Sequence, residues 1–289
     1  MTQSVSLLSF FAKKRELKLS IYNLFIYCLF FLSCSPIINF TDDDSPKWMR
    51  NDISATAAEG QIKVVSYNIE HARKIDLAIK ELTEVETIKR PDILMVQEMD
   101  TVGVKAIAAA LDMNYVYYPG SYGEGKKYFG NGILTKWPML ESHKIVLPHQ
   151  SKSGRKRIAI SARVASPYGE LIVTNVHLET LTMKRSKRTE QLAEVLSFLR
   201  TDDALPSIIG GDFNSFFPKD RKSFAEITTA EGFQWDTPEL THTARGLKNL
   251  VKPYLDQFYS KNVSLINSGV EHGTKSSDHY PIWAFYKLE

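Results

Sequence analysis

Ser207–Ser215 reads SIIGGDFNS. An apolar pair, Ile208 and Ile209, runs into two glycines, Gly210 and Gly211. Asp212 and Asn214 follow, with Phe213 between them. A strand alternates faces with period two, so Asp212 and Asn214 can point the same way at its C-terminal end. The glycines let another backbone or a ligand come close. A carboxylate beside a carboxamide at a strand end is a good place to hold water, a metal or a phosphate. A plain strand-to-turn corner explains the same letters, because Asp, Asn and Gly favour turns. The other strand ends decide between the two.

Working outward, Ile62–Ile69 (IKVVSYNI) is a strand by its β-branched and aromatic content, and it ends at Asn68. Ile75, Ile79, Leu82, Val85 and Ile88 recur in steps of three and four, which predicts an amphipathic helix stopping near Arg90, before Pro91. Asp92–Glu98 (DILMVQE) is a near-continuous apolar strand that delivers Glu98. Thr101–Leu111 reads as a helix, and Tyr115–Tyr118 and the ILTKWP segment ending at Pro138 as strands. Arg157–Val164 and Glu170–Leu178 form a hairpin turned at Ser166–Gly169, whose second strand carries Asn175 and His177. Met183–Arg200 is a helix, and 216–253 reads mostly as loop and short helix. Leu255–Tyr259, Val263–Ile266 and His279–Tyr286 are strands. Strands flanked by helices in both halves, with hairpins, predict an α/β domain of two mixed sheets packed face to face.

Polar residues thus close strand after strand: Asn68, Glu98, His177, Asp212 with Asn214, and Asp256, with Ser276–His279 opening the last one. Gathered at one rim, they would build a pocket of carboxylates, carboxamides and imidazoles. The ordered segments SYN, LMVQE, GNGIL around Asn131, TNVHL, GGDFN, LDQF and SDH resemble the endonuclease/exonuclease/phosphatase superfamily, over about residues 61–289. GGDFN together with the terminal SDH is the most specific part. The resemblance implies a four-layer α/β sandwich and hydrolysis of a phosphoester with Mg²⁺, or Mn²⁺, as cofactor.

The chemistry of the side chains agrees. Glu98 is a hard oxygen ligand suited to Mg²⁺, which binds through one or two carboxylates and keeps several waters. Asn68 can hold a metal-bound water or the phosphate, as in the family, and Asp278 can bind the metal or its water. Asp212 is the expected activator of the attacking water, by proton abstraction or through the metal. Asn214 can orient the phosphate. Asp256 and His279 read as a carboxylate–imidazole pair that favours a protonated ring. His177 is a candidate donor to the leaving oxygen. Asn131 and Arg157 are weaker candidates for phosphate contact, Arg157 because it adjoins Arg155 and Lys156 in a basic run. The remaining histidines, His71 among them, match no position in the pattern and read as surface or structural.

Composition bounds the rest. The chain has 289 residues and a formal charge of +3. Lys13, Lys14, Arg15 and Lys18 against Glu16 account for that charge; without residues 1–34, 32 basic and 32 acidic residues remain. The basic balance is therefore no argument for nucleic-acid binding by the domain. Both cysteines, Cys28 and Cys34, lie in the same N-terminal stretch, so the domain has no disulfide framework and no thiolate metal site.

A basic patch, a short apolar run at Ile21–Leu32 and small residues follow one another as in an export signal. Phe31–Cys34 resembles a bacterial lipoprotein signal with Cys34 as the lipidated residue; an uncleaved anchor or ordinary secretion are the alternatives. The expected organisation is an address over 1–34, a polar tether over 35–60 and a monomeric catalytic domain over 61–289, exported and held at a membrane. Nucleic acid is the first substrate expectation, through the basic segments 152–157 and 184–188. A lipid head-group phosphodiester, a small phosphate ester, or a silent binding role are the alternatives. No aromatic hairpin in the sequence is clearly built to enter a bilayer.

Overall fold

The computed structural model describes residues 37–43, 45–54, 60–202, 204–237, 241–246 and 251–288. The segment expected to be an export signal or anchor, with Cys34, lies outside them. The apolar run at Ile62 becomes β3 (Ile62–Asn68), and the one at Ile93 becomes its parallel neighbour β4 (Ile93–Met99). Around this pair the first sheet assembles from β1 (Ile38–Asn39), β2 (Trp48–Arg50), β5 (Asn114–Tyr122), β6 (Tyr128–Thr135), β13 (Ser264–Val270) and β14 (Ile282–Lys287). Its order is β1-β5-β6-β4-β3-β14-β13, with β2 also on β5.

The second sheet runs β11-β12-β10-β9-β8-β7. It comprises β7 (Met139–Val146), β8 (Ile158–Ser166), β9 (Gly169–His177), β10 (Ser207–Asp212), β11 (Gln234–Trp235) and β12 (Asp256–Lys261). Only β9 and β10 are parallel in it. Helices α1 (Ile75–Glu84) and α2 (Thr101–Leu111) cover the outer face of the first sheet, burying Ala78, Leu82, Val104 and Ile107 against Val65, Tyr67 and Leu94. Helices α3 (Arg185–Leu199) and α4 (Pro218–Ala230) cover the second through Leu192, Leu196 and Phe224 against Ile209 and Tyr259. Val64, Met95, Ile160, Val173, Ile208 and Phe258 meet between the sheets. These are the four layers of an α/β sandwich, as expected.

Gly210 and Gly211 have distinct jobs. A Cβ on Gly210 would lie 2.4 Å from the Phe258 ring, so this glycine lets the sheets close. Gly211 has φ +142°, and its Cβ would come within 2.0 Å of the Val176 carbonyl oxygen of the parallel strand. Between the sheets, buried Asn175 donates to the carbonyls of Val96 and Gly132 and accepts from Gln97, so this amide is a cross-sheet tie.

Three expectations change. Residues 35–60 are not a tether throughout: Ile38–Asn39 and Trp48–Arg50 pair with β5 and cover its edge, with Trp48 packed on the core. The 216–253 stretch contains a full helix of 13 residues, started by Pro218 and capped at its N-terminus by Asp220, whose carboxylate accepts from the Phe217 amide. β7, unexpected from sequence, adds an edge strand. Among the described residues, no helix is long and apolar enough to cross a membrane.

Candidate active site

Strand direction brings the polar ends together. β3 and β4 are parallel; β3 finishes at Asn68, and β4 carries Glu98 one residue before its end at Met99. β9 and β10 are parallel, with His177 beside Asp212. Asp256 opens β12 and does not end a strand; because β12 is antiparallel to β10, it lies opposite Asp212. Asp278 and His279 precede β14, which starts at Ile282 and runs antiparallel to β3, so their loop returns to the same rim. An Asn68 Nδ2 to Asp212 Oδ2 hydrogen bond of 3.0 Å joins the rims of the two sheets.

Asp212 is the hub. Its Oδ1 accepts from the Asn214 backbone at 2.8 Å, and its Oδ2 lies 3.5 Å from His177 Nε2 and 3.9 Å from His279 Nε2. Burial, helped by Asp256 and Glu98 and opposed by His279, raises its pKa to about 7. His279 Nδ1 sits 2.9 Å from Asp256 Oδ2, whose other donor is Thr243 Oγ1 at 2.7 Å. Burial alone would lower the His279 pKa, but Asp256 and Asp212 outweigh it and hold the ring well above the ordinary imidazole value. The imidazolium and the Asp212 carboxylate compete for one proton. The Asp256 contact gives His279 the stronger claim on it.

His177 has the opposite charge state. Burial first, then the neighbouring Arg157, pushes its pKa well below normal, so the ring is neutral. Arg157 Nη1 lies 2.9 Å from His177 Nε2, and its Nε lies 3.4 Å from Glu179. Arg157 is therefore a buried member of the site and not part of a solvated basic run. A neutral His177 does not fit the proton-donor role expected of it, whereas His279 is the ring that its carboxylate neighbours keep charged.

Glu98 is aimed by strain. It has φ +58° and sits where β4 slips register against β6 between Val96 and Met99. Such a bulge re-aims a side chain at a functional rim. Glu98 lines a cavity of about 300 Å³ with His71, Arg73, Lys127, Phe129 and Arg155. Among the described residues, its carboxylate has no Lys or Arg within 4.0 Å; its neighbours are His71 Nε2 at 3.3 Å and His177 Nε2 at 3.9 Å. An unneutralised carboxylate facing a cavity fits a hard divalent cation.

Ligand atoms of Asp212, Asp256 and His279 also lie within 4.8 Å of one another, a separation that an ion could bridge. The protonated ring and the hydrogen-bonded Asp256 fit a proton-holding network better. Asn68 is committed to Asp212 and to the Glu70 amide. Asp278 is exposed, and its carboxylate meets only Ser277 Oγ, at 3.4 Å, among the described residues.

The two loops are rigidly held. Asn214, at φ +50°, turns its Nδ2 to the Leu178 carbonyl at 3.0 Å, and Arg188 clamps the Asn214 carbonyl at 2.7 Å. Buried Glu81 of α1 accepts from Ser276 Oγ at 2.6 Å and from the Ser276 amide, fixing the loop that carries His279. Asn131 does not reach the mouth: it is buried and donates to the Ile158 carbonyl, a core contact and not a phosphate contact.

The sequence profile of the Endonuclease/Exonuclease/phosphatase family matches residues 65–279. The chain belongs to this family. Its members are phosphoesterases, and they depend on divalent metal. No curated protein matches the chain. Among solved structures, a protein of unknown function from Enterococcus faecalis aligns with TM-score 0.62 at 18% identity, over 79% of this chain and 100% of that one. TDP2 of D. rerio, in complex with a single-strand DNA product, gives TM-score 0.61 at 19% identity over 80% and 100%. A mannosyl-6-phosphatase of Bacteroides thetaiotaomicron gives 0.62 at 16% over 78% and 100%. At these identities the likeness is one of fold.

Within the family frame, His71, Phe129, Arg155 and Glu179 are the residues that sequence reasoning missed. His71 faces Glu98, and the Phe129 ring lies 5.2 Å from His71 and 4.2 Å below Arg155. Their neighbours in sequence, Asn68 and the GNG segment, were the only signal.

Proposed function

We propose that the chain is a divalent-metal-dependent hydrolase that cleaves a phosphoester by in-line attack of water. The observation that carries this reading is the pairing, across Asp212, of an imidazolium at His279 with an unneutralised carboxylate at Glu98. Glu98 would hold the cation, with Asp278 on the neighbouring loop able to reach its water. A bound Mg²⁺ or Mn²⁺ supplies charge neutralisation and a more acidic water. Asp212 takes the proton of the attacking water. Asn68 and the Asn214 backbone hold that carboxylate in place through hydrogen bonds to both oxygens. His279, kept charged by Asp256, donates to the phosphate or its leaving oxygen, and Arg157 holds His177 neutral beside it.

Nucleic acid is the first substrate in this reading, as a phosphodiester tracked by the lysines of the mouth. A second reading, a phosphoester presented at a lipid surface, is favoured by Val102, Leu181 and Phe217, which follow β4, β9 and β10 at the same rim with their side chains exposed. Purified protein should hydrolyse at least one of plasmid DNA, RNA, sphingomyelin and bis-p-nitrophenyl phosphate, and EDTA should abolish turnover. Absence of metal-dependent turnover on all four would overturn the enzyme reading; cleavage of sphingomyelin without DNA would remove the nuclease reading alone.

A further inference from the structure

The geometry points to a second use of the catalytic rim: it is the surface by which this domain docks on an anionic lipid bilayer. Four large apolar side chains stand exposed on it, from four separate segments. Ile38 is 53% exposed, Val102 74%, Leu181 50% and Phe217 53%. Val102 lies in the first turn of α2, directly after β4. Leu181 and Phe217 follow β9 and β10, whose ends are paired at His177 and Asp212. Ile38 pairs with Tyr122 at the end of β5, and β5 runs parallel to β4 because both are antiparallel to β6. Water-facing apolar residues scattered singly need no explanation, but several at one rim do.

Charge and chain path name the occupant. Lys126, Lys127, Lys184, Arg185, Lys187 and Lys219 are exposed in the same loops and first helical turns. Among the described residues, only Lys127 of the six has a carboxylate within 4.0 Å, Asp100 at 3.3 Å. Apolar tips inside a ring of lysines match an acyl layer beneath anionic headgroups. The strand holding Ile38 runs antiparallel to β5 and begins opposite Tyr122 at the end of β5, so the described chain enters the domain at this rim. The apolar run Ile21–Leu32 ends five residues before Ile37. A membrane-held N-terminal segment would therefore join the domain at its catalytic face.

An apolar groove of about 810 Å³, lined by Ile38, Phe40, Ile75 and Val102, shares Lys127 and Tyr128 with the cavity at Glu98. It gives a chain drawn from the bilayer a path to the reacting centre. Docking itself is independent of the phosphoesterase reading, and its test needs no turnover.

In the full chain with Cys28→Ser and Cys34→Ser, single cysteines are placed in turn by Val102→Cys, Leu181→Cys and Phe217→Cys. Leu140→Cys and Ile266→Cys serve as exposed positions at the far end of the sandwich. Each carries a nitrobenzoxadiazole dye, and the protein is reconstituted in phosphatidylcholine–phosphatidylserine vesicles containing a doxyl-labelled lipid. The three rim dyes should shift to the blue and be quenched, and the two far dyes should not. High salt or omission of phosphatidylserine should weaken the rim response. No quenching at the rim, or equal quenching at Leu140 and Ile266, would overturn docking. A rim response unchanged without phosphatidylserine would overturn its anionic character. A rim response to a DNA oligonucleotide but not to vesicles would give the surface to nucleic acid instead.

Discussion

The two imidazoles that flank Asp212 are both buried, at 3.5 and 3.9 Å from the same carboxylate oxygen, yet they settle in opposite charge states. On the second sheet's side, His177 meets the Arg157 guanidinium, and burial plus that cation leave the ring neutral. On the loop side, His279 meets the Asp256 carboxylate, which overcomes the same burial and keeps the ring charged. Burial acts alike on both, so the partner's charge decides. A site that must both accept and donate a proton needs that asymmetry, and Asp212 lies between its halves.

The harshest test removes the centre. Asp212→Asn or His279→Ala should lower turnover by about 10²–10⁴-fold, with unchanged circular dichroism and melting behaviour. Activity of the parent should rise as Asp212 loses its proton near pH 7 and fall again as His279 loses its own at higher pH. Near-parent turnover in either variant would place the reacting centre elsewhere.

Asp256→Asn attacks the asymmetry itself. The His279 titration, followed by NMR of its ring in metal-free protein, should move to lower pH. The alkaline limb of the activity profile should move with it, and turnover should fall by about 10²-fold. Arg157→Gln is milder and acts on the other half. With the cation gone, the His177 ring should titrate at higher pH than in the parent, burial alone still holding it below the ordinary imidazole value. His279 should stay where it was. Matching titrations of the two rings in the parent would break the comparison outright.

How much of this was legible follows strand chemistry. β3, β4, β9 and β10 are buried on both faces and read directly as apolar runs, so Asn68, Glu98, His177 and Asp212 were placed at one rim from sequence. His279 was read at the opening of the last strand, but Asp256 was read as closing one and not as opening β12, because antiparallel pairing is invisible in one strand's pattern. His71 and Phe129 were missed because a turn at φ +55° and a strand slip bring them in, and neither leaves a periodicity. β1 and β2 escaped because two or three residues carry no period at all; only the partner strand β5 makes them strands. The outward-facing Leu181 and Phe217 were indistinguishable from core residues by letter.

A buried acid away from the site extends the rule to a place with no charged partner among the described residues. Among the described residues, the Asp236 carboxylate accepts only from hydroxyls, Ser260 Oγ at 3.0 Å and Tyr286 Oη at 2.8 Å. Burial raises its pKa from 3.8 to about 6, against the pull of those two donors. An acid whose pKa is raised on folding contributes its stability fully below about pH 4 and loses it as pH rises through about 6. The shift of about two units corresponds to a loss of about 3 kcal/mol across that window. Asp236→Asn removes the ionisation while leaving hydroxyls that can rotate to meet the new amide. The variant should therefore gain stability relative to the parent at pH 8 and show little gain at pH 4, with turnover unchanged at both. Equal effects at the two pH values would mean that the Asp236 pKa does not change on folding, and that its two hydroxyl donors fully offset the effect of burial.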